Sequence, residues 1–568
     1  MRARIYLLTF AFIIVFAVLI LRLFYWQIVK GSDLSRAAGN QYKVSEVTSA
    51  PRGNILASDG SFWALRADAW LVFANPSQIT DPRGTSEKLA PYFVDDVKDQ
   101  TTLLDEIDRL TGLLSKKDAF WVSLKERVSP DVKGEIEKMN IRGIGFQNQE
   151  ARYYPEASSA AQLLGFVGKD NNGGDLGYFG LEGYYNLALS GKSGFIGGER
   201  DAKGAPILLG TTQQVAAIAG VDLMTSIDKR VQLILETKLR EGIEKYGAKG
   251  GSVVVMNPTS GDILGMASYP SFDPAKYWQY SDSLFKNPII SDAYEPGSIF
   301  KPIVMAAGID AGKIKPDTKC DICGGPLKVD KYYIETWDNK YRDNETMTDV
   351  IVNSDNVGMS FVGQKLGVDA LYDYLEKFGI GKSSGIDLQG EAVPKLRQRG
   401  TWNIVDQATA TFGQGVAVTS IQMVRAISTI ANGGYLVTPH VVTSVQGDGW
   451  REDVGNVSKV RIISKDAAGD VALMMATAAQ DGESKWAYIP GFRIAGKTGT
   501  AQIPISGHYD DKNTIASFVG FAPYDSPKFV MLVTLQKPQT SEWASETAAP
   551  LWYSIAGELL TYLGVQPR

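Results

Sequence analysis

Three short strings, in order along the chain, hold the residue types that acyl transfer requires. They are Ser298-Ile-Phe-Lys301, Ser354-Asp-Asn356 and Lys497-Thr-Gly499. A serine hydroxyl is a poor nucleophile at neutral pH and needs a base. A lysine can serve as that base if burial and a neighbouring positive charge lower its pKa. Together the strings predict a serine enzyme that opens an amide bond and holds the acyl group.

The first string predicts a nucleophile at the start of a helix. Pro296-Gly297 precedes Ser298, and residues 300–309 have the composition of a helix. Lys301 would then lie one turn after Ser298 on the same face. The backbone N–H of Ser298 would point to the place where an oxyanion forms. Taken alone, the spacing S-x-x-K is common on surface helices and specifies no function.

The second string lies between two predicted helices, residues 347–353 and 357–366. In such a bent connection Ser354 and Asn356 can face the same cleft. Ser354 would relay a proton to the leaving amine, and Asn356 would position the substrate or Lys301. For the isolated tripeptide the alternative is a helix N-cap, which these residue types also favour.

The third string fits two patterns. Gly491 to Thr498 matches G-x-x-x-x-G-K-[ST], a phosphate-binding loop that requires a helix after the threonine. The residues that follow look extended instead, since Gly499 and Pro504 disfavour a helix. The sequence therefore predicts a strand beside a cleft rather than a nucleotide site.

On such a strand each residue has a defined use. Lys497 supplies a fixed positive charge, and the hydroxyls of Thr498 and Thr500 can bind a carboxylate. Gly499 allows close approach of another backbone segment. The N–H of Thr500 can complete an oxyanion hole, where one donor is typically worth about a hundredfold in rate.

Composition excludes several other classes of protein. The chain has 568 residues and a net charge of −5, which gives no reason to expect nucleic acid as a partner. His440 and His508 are its two histidines, so a Ser-His-Asp triad is disfavoured. We predict no cofactor and no Cys/His metal site, and a site made of carboxylates stays open. Cys320-Asp-Ile-Cys323 predicts either a local disulfide, outside the cell, or two reduced thiols.

The N-terminus predicts a membrane anchor. Residues 5–21 carry no charge, and continuation to residue 26 completes a span with interfacial aromatic residues. No small-x-small cleavage site follows, which favours an uncleaved anchor over a signal peptide. Arg2 and Arg4 favour a cytoplasmic N-terminus. We therefore predict a cytoplasmic tail (1–4), a single transmembrane helix (5–26) and an extracytoplasmic bulk.

The remaining chain predicts two regions. Residues 27–220 contain short alternating strands and glycine-rich stretches, typical of a β-rich pedestal or interaction domain. From residue 221 the pattern changes, with helical spacing over 230–246 and a hairpin over 252–267. Residues 221–568 are predicted to form one large α/β or α+β domain.

The sequence resembles the class B penicillin-binding proteins, which are monofunctional D,D-transpeptidases of peptidoglycan synthesis, over most of its length. The resemblance implies a penicillin-binding-protein/β-lactamase-like α/β (α+β) transpeptidase domain, an N-terminal β-rich pedestal and one transmembrane helix. One departure lies at Ala57-Ser58, where the family usually has Asp-Arg. Besides the three strings, the resemblance rests on Pro51-Arg-Gly-Asn-Ile55, Arg152-Tyr-Tyr-Pro155, Gly180-Leu-Glu-Gly183, Gly413-Gln-Gly415 with Thr419 and Gln422, and Ala431-Asn-Gly-Gly434.

The resemblance also implies a reaction. Ser298 would attack the D-Ala-D-Ala bond of a stem peptide, D-Ala would leave, and the amine of a neighbouring stem would resolve the acyl-enzyme. β-Lactam antibiotics would acylate the same serine. The implied site residues are Ser298, Lys301, Ser354, Asn356, Lys497, Thr498, Gly499 and Thr500.

Partners and location follow from the same resemblance. No glycosyltransferase motif is evident between residues 32 and 220, so the implied partner is a membrane-embedded glycan polymerase of the SEDS family, with other proteins of the cell-wall machinery. The implied location is the bacterial cytoplasmic membrane. A role in division or in elongation is left open. The alternatives are a β-lactam hydrolase or sensor on the same fold, and a catalytically silent cell-wall scaffold.

Overall fold

The structure, a computed structural model, describes residues 2–35, 43–171, 173–199, 213–454, 459–505 and 508–567. The chain divides into two compact units. The first comprises Met1–Arg52 and Ser190–Gly220, and the second comprises Gly53–Leu189 and Val221–Arg568.

The first unit contains the predicted anchor. An α-helix over Arg2–Phe24 continues as a π-helix over Tyr25–Val29, and its side chains are exposed. Among the described residues this is the one helix long and apolar enough to cross a membrane. At about 1.5 Å per residue it is roughly 40 Å long, which exceeds the hydrocarbon core of about 30 Å. The unit also holds a three-stranded antiparallel sheet of Lys43–Thr48, Gly194–Glu199 and Gln213–Val215.

The second unit is built around a five-stranded antiparallel sheet. Its C-terminal edge strand, Ala495–Ile505, carries the Lys-Thr-Gly string, and we call it the site strand. The order across the sheet is Ile263–Tyr269, Gly250–Met256, Phe529–Gln536, His508–Ala522 and Ala495–Ile505.

Helices cover both faces of this sheet, and the strands are correspondingly apolar. Alternate residues of one strand point to opposite faces. Val253 and Val255 pack in one core with helices Lys229–Tyr246 and Ala548–Tyr562. Val254 and Met256 pack in the other core. That second core contains helices Lys301–Asp310, Asn356–Leu366, Ser420–Ala431 and Lys465–Asp481.

A second, mixed sheet joins strands from both sides of residue 220. Phe62–Ala74 lies within it and pairs with both Val122–Val128 and Ile144–Tyr153. Its other strands are Trp450–Asp453, Val442–Gly447, Asp222–Thr225 and Ile55–Leu56.

The other elements of this unit are short. The two-stranded pairs are Phe166–Lys169 with Asp175–Tyr178, Leu327–Val329 with Tyr332–Ile334, and Tyr435–Leu436 with Val460–Arg461. The remaining α-helices are Pro82–Leu89, Gln100–Leu114, Pro130–Lys138, Ala161–Leu164, Gly180–Tyr184, Asn186–Leu189, Pro288–Ser291, Met347–Val352, Val368–Lys377 and Ile404–Ala410. The 3₁₀ turns are Pro76–Gln78, Ala90–Tyr92, Pro274–Gln279, Asp282–Leu284, Gly297–Phe300 and Lys485–Ala487.

Side-chain caps determine where the helices near the site begin. Thr346 and Asp349 form a capping box for Met347–Val352. Asp355, not Ser354, caps Asn356–Leu366, through a bond from the Gly358 N–H. The alternative role of the tripeptide as an N-cap therefore belongs to its middle residue, and the Ser354 side chain is left for other contacts.

A buried ion pair connects three of the sequence motifs. Arg152 Nε donates to Glu182 Oε1 at 2.6 Å, and both side chains are almost fully buried. Arg152 Nη1 also donates to the carbonyl of Gly53 at 2.7 Å. A Cβ at Gly53 would lie 1.9 Å from the carbonyl oxygen of Val221, so that position requires glycine. Gly53, Arg152 and Glu182, one residue from each of three motifs, therefore form one hydrogen-bonded cluster within the second unit.

The departure at Ala57-Ser58 is accommodated in the same region. Ala57 is fully buried and belongs to the core that contains Ile55 and Trp63. Backbone bonds hold the turn, from Ala57 N to Ser61 O at 2.7 Å and from Ser58 N to Ile227 O at 3.0 Å. Apolar packing and backbone pairing stabilise the turn with Ala57-Ser58 in it.

Removal of one partner from the buried pair should strongly destabilise the protein. In Glu182→Ala the guanidinium of Arg152 stays buried without its carboxylate, which typically costs about 3–5 kcal/mol. We expect a clear fall in the thermal unfolding midpoint, measured by calorimetry on the full chain. Glu135→Ala is the matched control, because Glu135 pairs with Lys138 at the surface and should leave the midpoint unchanged. Equal midpoints for the two variants would contradict this account.

Candidate active site

Ser298 lies on a tight turn that enters a helix. The 3₁₀ turn Gly297–Phe300 continues directly into Lys301–Asp310, as the sequence predicts. Gly297 has φ +58°, a conformation that favours glycine. Gly413, the first glycine of the Gly-Gln-Gly motif, lies against it, and a Cβ there would be 2.3 Å from the Gly297 carbonyl oxygen. The two glycines let the backbones meet and leave the Ser298 side chain half-buried at a cleft.

Lys301 is fully buried and directed to the second string rather than held by Ser298. Its Nζ donates to the Ser354 carbonyl oxygen at 2.6 Å and to Asn356 Oδ1 at 2.8 Å. The Ser354 Oγ lies 3.3 Å away. A neutral amine has two N–H donors and one lone pair. In the neutral form the two shorter bonds would use both donors and leave the lone pair to accept a proton.

Burial and a second lysine determine the protonation state of Lys301. Burial lowers its pKa most, and the charge of Lys497 lowers it further, to about 7. The carboxylates of Asp355 and Glu483 oppose that shift. Burial also lowers the pKa of Lys497, again opposed by Glu483. The two conditions for a lysine base, burial and nearby positive charge, are therefore both present.

The Ser-Asp-Asn segment is shaped around Lys301. Ser354 has φ +57°, in the left-handed region that is strained for a serine, and its carbonyl accepts from the Lys301 ammonium or amine group. Asn356 donates through Nδ2 to the Glu335 carbonyl at 2.9 Å, which fixes its amide and presents Oδ1 to Lys301. Asp355 is fully buried and caps the following helix.

The site strand lies against the serine turn, as its extended character predicts. A Cβ at Gly499 would lie 2.8 Å from the Ile299 side chain and 3.0 Å from its backbone nitrogen. Lys497 is buried, and its Nζ donates to the carbonyl and the hydroxyl of Thr498 at 3.2 and 3.1 Å. The Thr500 hydroxyl accepts from the Ala544 N–H at 3.0 Å, so its own hydrogen points elsewhere.

These segments enclose one cleft of about 100 Å³. Of the eight predicted residues, five line it: Ser298, Ser354, Asn356, Thr498 and Thr500. Lys301, Lys497 and Gly499 are buried beside it. The remaining lining residues are Glu295, Gly297, Trp337, Phe412, Gln414, Glu483, Ala501, Gln502 and Trp543.

Three of those lining residues had no signal in the sequence. Trp337 and Trp543 lie with their ring centroids 5.5 Å apart, although 206 positions separate them along the chain. Glu483 accepts a hydrogen bond from Thr498 at 2.6 Å and precedes it by 15 positions. None belongs to a motif, and only the folded contacts bring them to the cleft.

The other candidate groups in the sequence have structural contacts. Cys320 and Cys323 form a disulfide, one of the two predicted alternatives. Cys323, Glu345 and Asp355 lie close together, but the disulfide occupies the sulfur, and burial with the Asp355 charge raises the pKa of Glu345 to about 7. His440 pairs with Asp262 at 2.8 Å. The side chain of His508 lies outside the described ones.

Comparison with known proteins assigns the family. Residues 251–557 match the penicillin binding protein transpeptidase domain, and residues 47–225 match the penicillin-binding protein dimerisation domain. The chain is 33% identical to stage V sporulation protein D of Bacillus subtilis, over 98% of this chain and 85% of that protein. It is 28% identical to the probable peptidoglycan D,D-transpeptidase PenA of Neisseria meningitidis, over 99% and 93%.

Solved structures agree in fold. A peptidoglycan synthetase from Bifidobacterium adolescentis is 26% identical with a TM-score of 0.73, covering 93% of this chain and 98% of that one. Penicillin-binding protein 3 of Mycobacterium tuberculosis in complex with aztreonam is 25% identical with a TM-score of 0.70, covering 92% and 98%.

The chain therefore belongs to the penicillin-binding protein transpeptidase family. The dimerisation domain that precedes its transpeptidase domain makes it a class B penicillin-binding protein.

If Ser298 is acylated as the sequence predicts, the lowered pKa of Lys301 sets the pH dependence of that acylation. Lys301 can accept the serine proton only when neutral, so the rate should fall about tenfold per pH unit below pH 7 and level off above it. The measurement is the second-order rate constant for acylation by benzylpenicillin between pH 5.5 and 9. Removal of the neighbouring charge in Lys497→Met should move the inflection to higher pH. A flat profile in the wild type would exclude Lys301 as the base.

Proposed function

We propose that this protein cross-links peptidoglycan as a D,D-transpeptidase, through an acyl-enzyme on Ser298 formed from D-Ala-D-Ala stem peptides, and that β-lactams acylate the same serine. The observation that carries the proposal is the position of Lys301. Its buried Nζ is held between the Ser354 carbonyl and Asn356 Oδ1, beside the cleft that Ser298 and residues of the site strand line.

In the first step the neutral amine of Lys301 accepts the proton of the Ser298 hydroxyl as Oγ attacks the carbonyl carbon. The ammonium that results is stabilised by the Ser354 carbonyl and Asn356 Oδ1, which already accept its N–H groups. The developing oxyanion is bound by the backbone N–H groups of Ser298 and Thr500. Both groups belong to segments in direct contact, the serine turn and the site strand.

Collapse of the tetrahedral intermediate then requires a proton on the leaving amine. Ser354 Oγ lies 3.3 Å from Lys301 Nζ, so the hydroxyl can pass the lysine's proton to the departing D-Ala. In the second half of the reaction the amine of a neighbouring stem peptide attacks the acyl-enzyme. The same relay, run backwards, takes the proton of that amine to Lys301, which returns it to Ser298 Oγ as the ester bond breaks and the new amide bond is complete.

The terminal carboxylate of the donor stem is assigned to the site strand. The hydroxyls of Thr498 and Thr500 donate to it, and the charge of Lys497 stabilises it from behind the strand. Gly499, between the two threonines, keeps the strand close enough to the serine turn for one substrate to contact both.

The rest of the chain is proposed to hold this site at the membrane. The division into 27–220 as a pedestal and 221–568 as the catalytic domain is supported by the family matches at 47–225 and 251–557. The helix Arg2–Val29 would anchor the protein with its N-terminus in the cytoplasm. A glycan polymerase of the SEDS family is the proposed partner, because neither matched domain is a glycosyltransferase.

Labelling with a fluorescent penicillin tests the proposal directly. The purified full chain should acquire a label that survives on a denaturing gel and persists for many minutes. Ser298→Ala should lose the label, because the substitution removes the hydroxyl that forms the proposed ester. Ser283→Ala, which removes an exposed serine that does not line the cleft, should be labelled like the wild type.

Each of the other outcomes would support a different function or a different nucleophile. Rapid loss of the label would favour a β-lactam hydrolase. A folded wild type that takes no label would overturn the acyl-enzyme and favour a cell-wall scaffold. Labelling of Ser298→Ala at the wild-type rate would place the nucleophile elsewhere.

A further inference from the structure

Glu483 brings a negative charge to the part of the cleft assigned to a substrate carboxylate. It follows the helix Lys465–Asp481 and is partly exposed at the cleft. Its Oε2 accepts from the Thr498 hydroxyl at 2.6 Å, and that hydroxyl accepts in turn from Lys497 Nζ at 3.1 Å. An ammonium, a hydroxyl and a carboxylate thus form one chain of hydrogen bonds.

That chain conflicts with substrate binding. A threonine hydroxyl has one hydrogen, so Thr498 cannot donate to Glu483 and to a substrate carboxylate at the same time. Two carboxylates at one hydroxyl also repel each other, and partial burial makes that repulsion stronger than in water. A substrate carboxylate can take the hydroxyl only if Glu483 gives it up.

The surroundings of Glu483 allow it to leave. Within the described residues it forms no ion pair, and Thr498 is the side chain that holds it. Its charge offsets those of the buried Lys497 and Lys301 while the cleft is empty. A bound substrate carboxylate supplies the same charge at the same strand, so the exchange leaves the two lysines with a counterion in both states.

We propose that Glu483 determines specificity by occupying the carboxylate-binding position of the free enzyme, from which an anionic acyl donor must displace it. The inference rests on the proposed function, because it concerns the donor carboxylate of the same reaction. Glu483 acts as a competing anion. It slows acylation by donors that carry a carboxylate and does not discriminate against donors that lack one.

The test compares two donors that differ only at this group, benzylpenicillin with its carboxylate and the methyl ester, which is uncharged there. Glu483→Gln keeps the size and an oxygen acceptor for Thr498 but removes the charge. We expect the second-order rate constant for benzylpenicillin to rise about tenfold, which corresponds to about 1.4 kcal/mol of relieved repulsion. The rate constant for the methyl ester should stay within about twofold of the wild type. Both rate constants are measured on the full chain, from the loss of unacylated protein in intact-mass spectra.

Two further variants make the result specific. Asp481→Asn removes an equal charge from an exposed residue two positions earlier, outside the cleft, and should change neither rate constant. Glu483→Ala removes charge and acceptor together and should raise the benzylpenicillin rate as Glu483→Gln does. Unchanged unfolding midpoints confirm that the variants are folded.

The opposite results are equally clear. An unchanged or slower reaction of Glu483→Gln with benzylpenicillin would overturn the inference and make Glu483 a counterion that the lysines need. Equal acceleration with both donors would overturn it too, since that pattern reports a changed pKa of Lys301. A wild type that neither donor acylates would overturn the proposed function itself.

Discussion

Two lysine side chains, Lys301 and Lys497, lie buried in one site, and most features of the site reduce the free-energy cost of burying their charges. An unpaired ammonium in the protein interior is strongly unfavourable, and two such charges repel. Burial and the charge of Lys497 lower the pKa of Lys301 to about 7, which reduces that cost and favours the neutral amine that the proposed base requires. Lys497 remains beside the hydroxyl of Thr498 and the charge of Glu483. The lowered pKa that the proposed base requires and the electrostatic cost of burying two lysines therefore have the same physical cause.

Close backbone contact is the second constraint. Ser298 lies close to the site strand because three glycines, Gly297, Gly413 and Gly499, let their backbone segments approach without side chains between them. The contacts bring the serine turn and the site strand to the same cleft. Residues 413 and 499 are thus as much part of the site as the serine, although neither carries a reactive group.

Local sequence predicted the elements of the site well. Helices over 230–246, 347–353 and 357–366 and an extended segment after Thr498 all appear in the structure, because helical spacing, caps and glycine or proline positions act over a few residues. The tripeptide does supply the N-cap of Asn356–Leu366, through its middle residue Asp355. The mixed sheet that joins strands from both sides of residue 220 was not predicted, since strand pairing depends on contacts across long stretches of chain.

The sequence by itself determined which chemical groups are present, their order, and the family to which the chain belongs. Only the tertiary structure decided how deeply these groups are buried, which hydrogen-bond partners they have and how their pKa values are shifted. The acceptors that hold Lys301 belong to Ser354 and Asn356, 53 and 55 positions further along the chain. Burial lowers the pKa of Lys301, and the charge of Lys497 on the site strand lowers it further. Glu483, Trp337 and Trp543 line the cleft although no sequence motif predicted them. Burial, pKa and hydrogen-bond partners depend on distances in space, and a linear pattern carries residue types but not those distances.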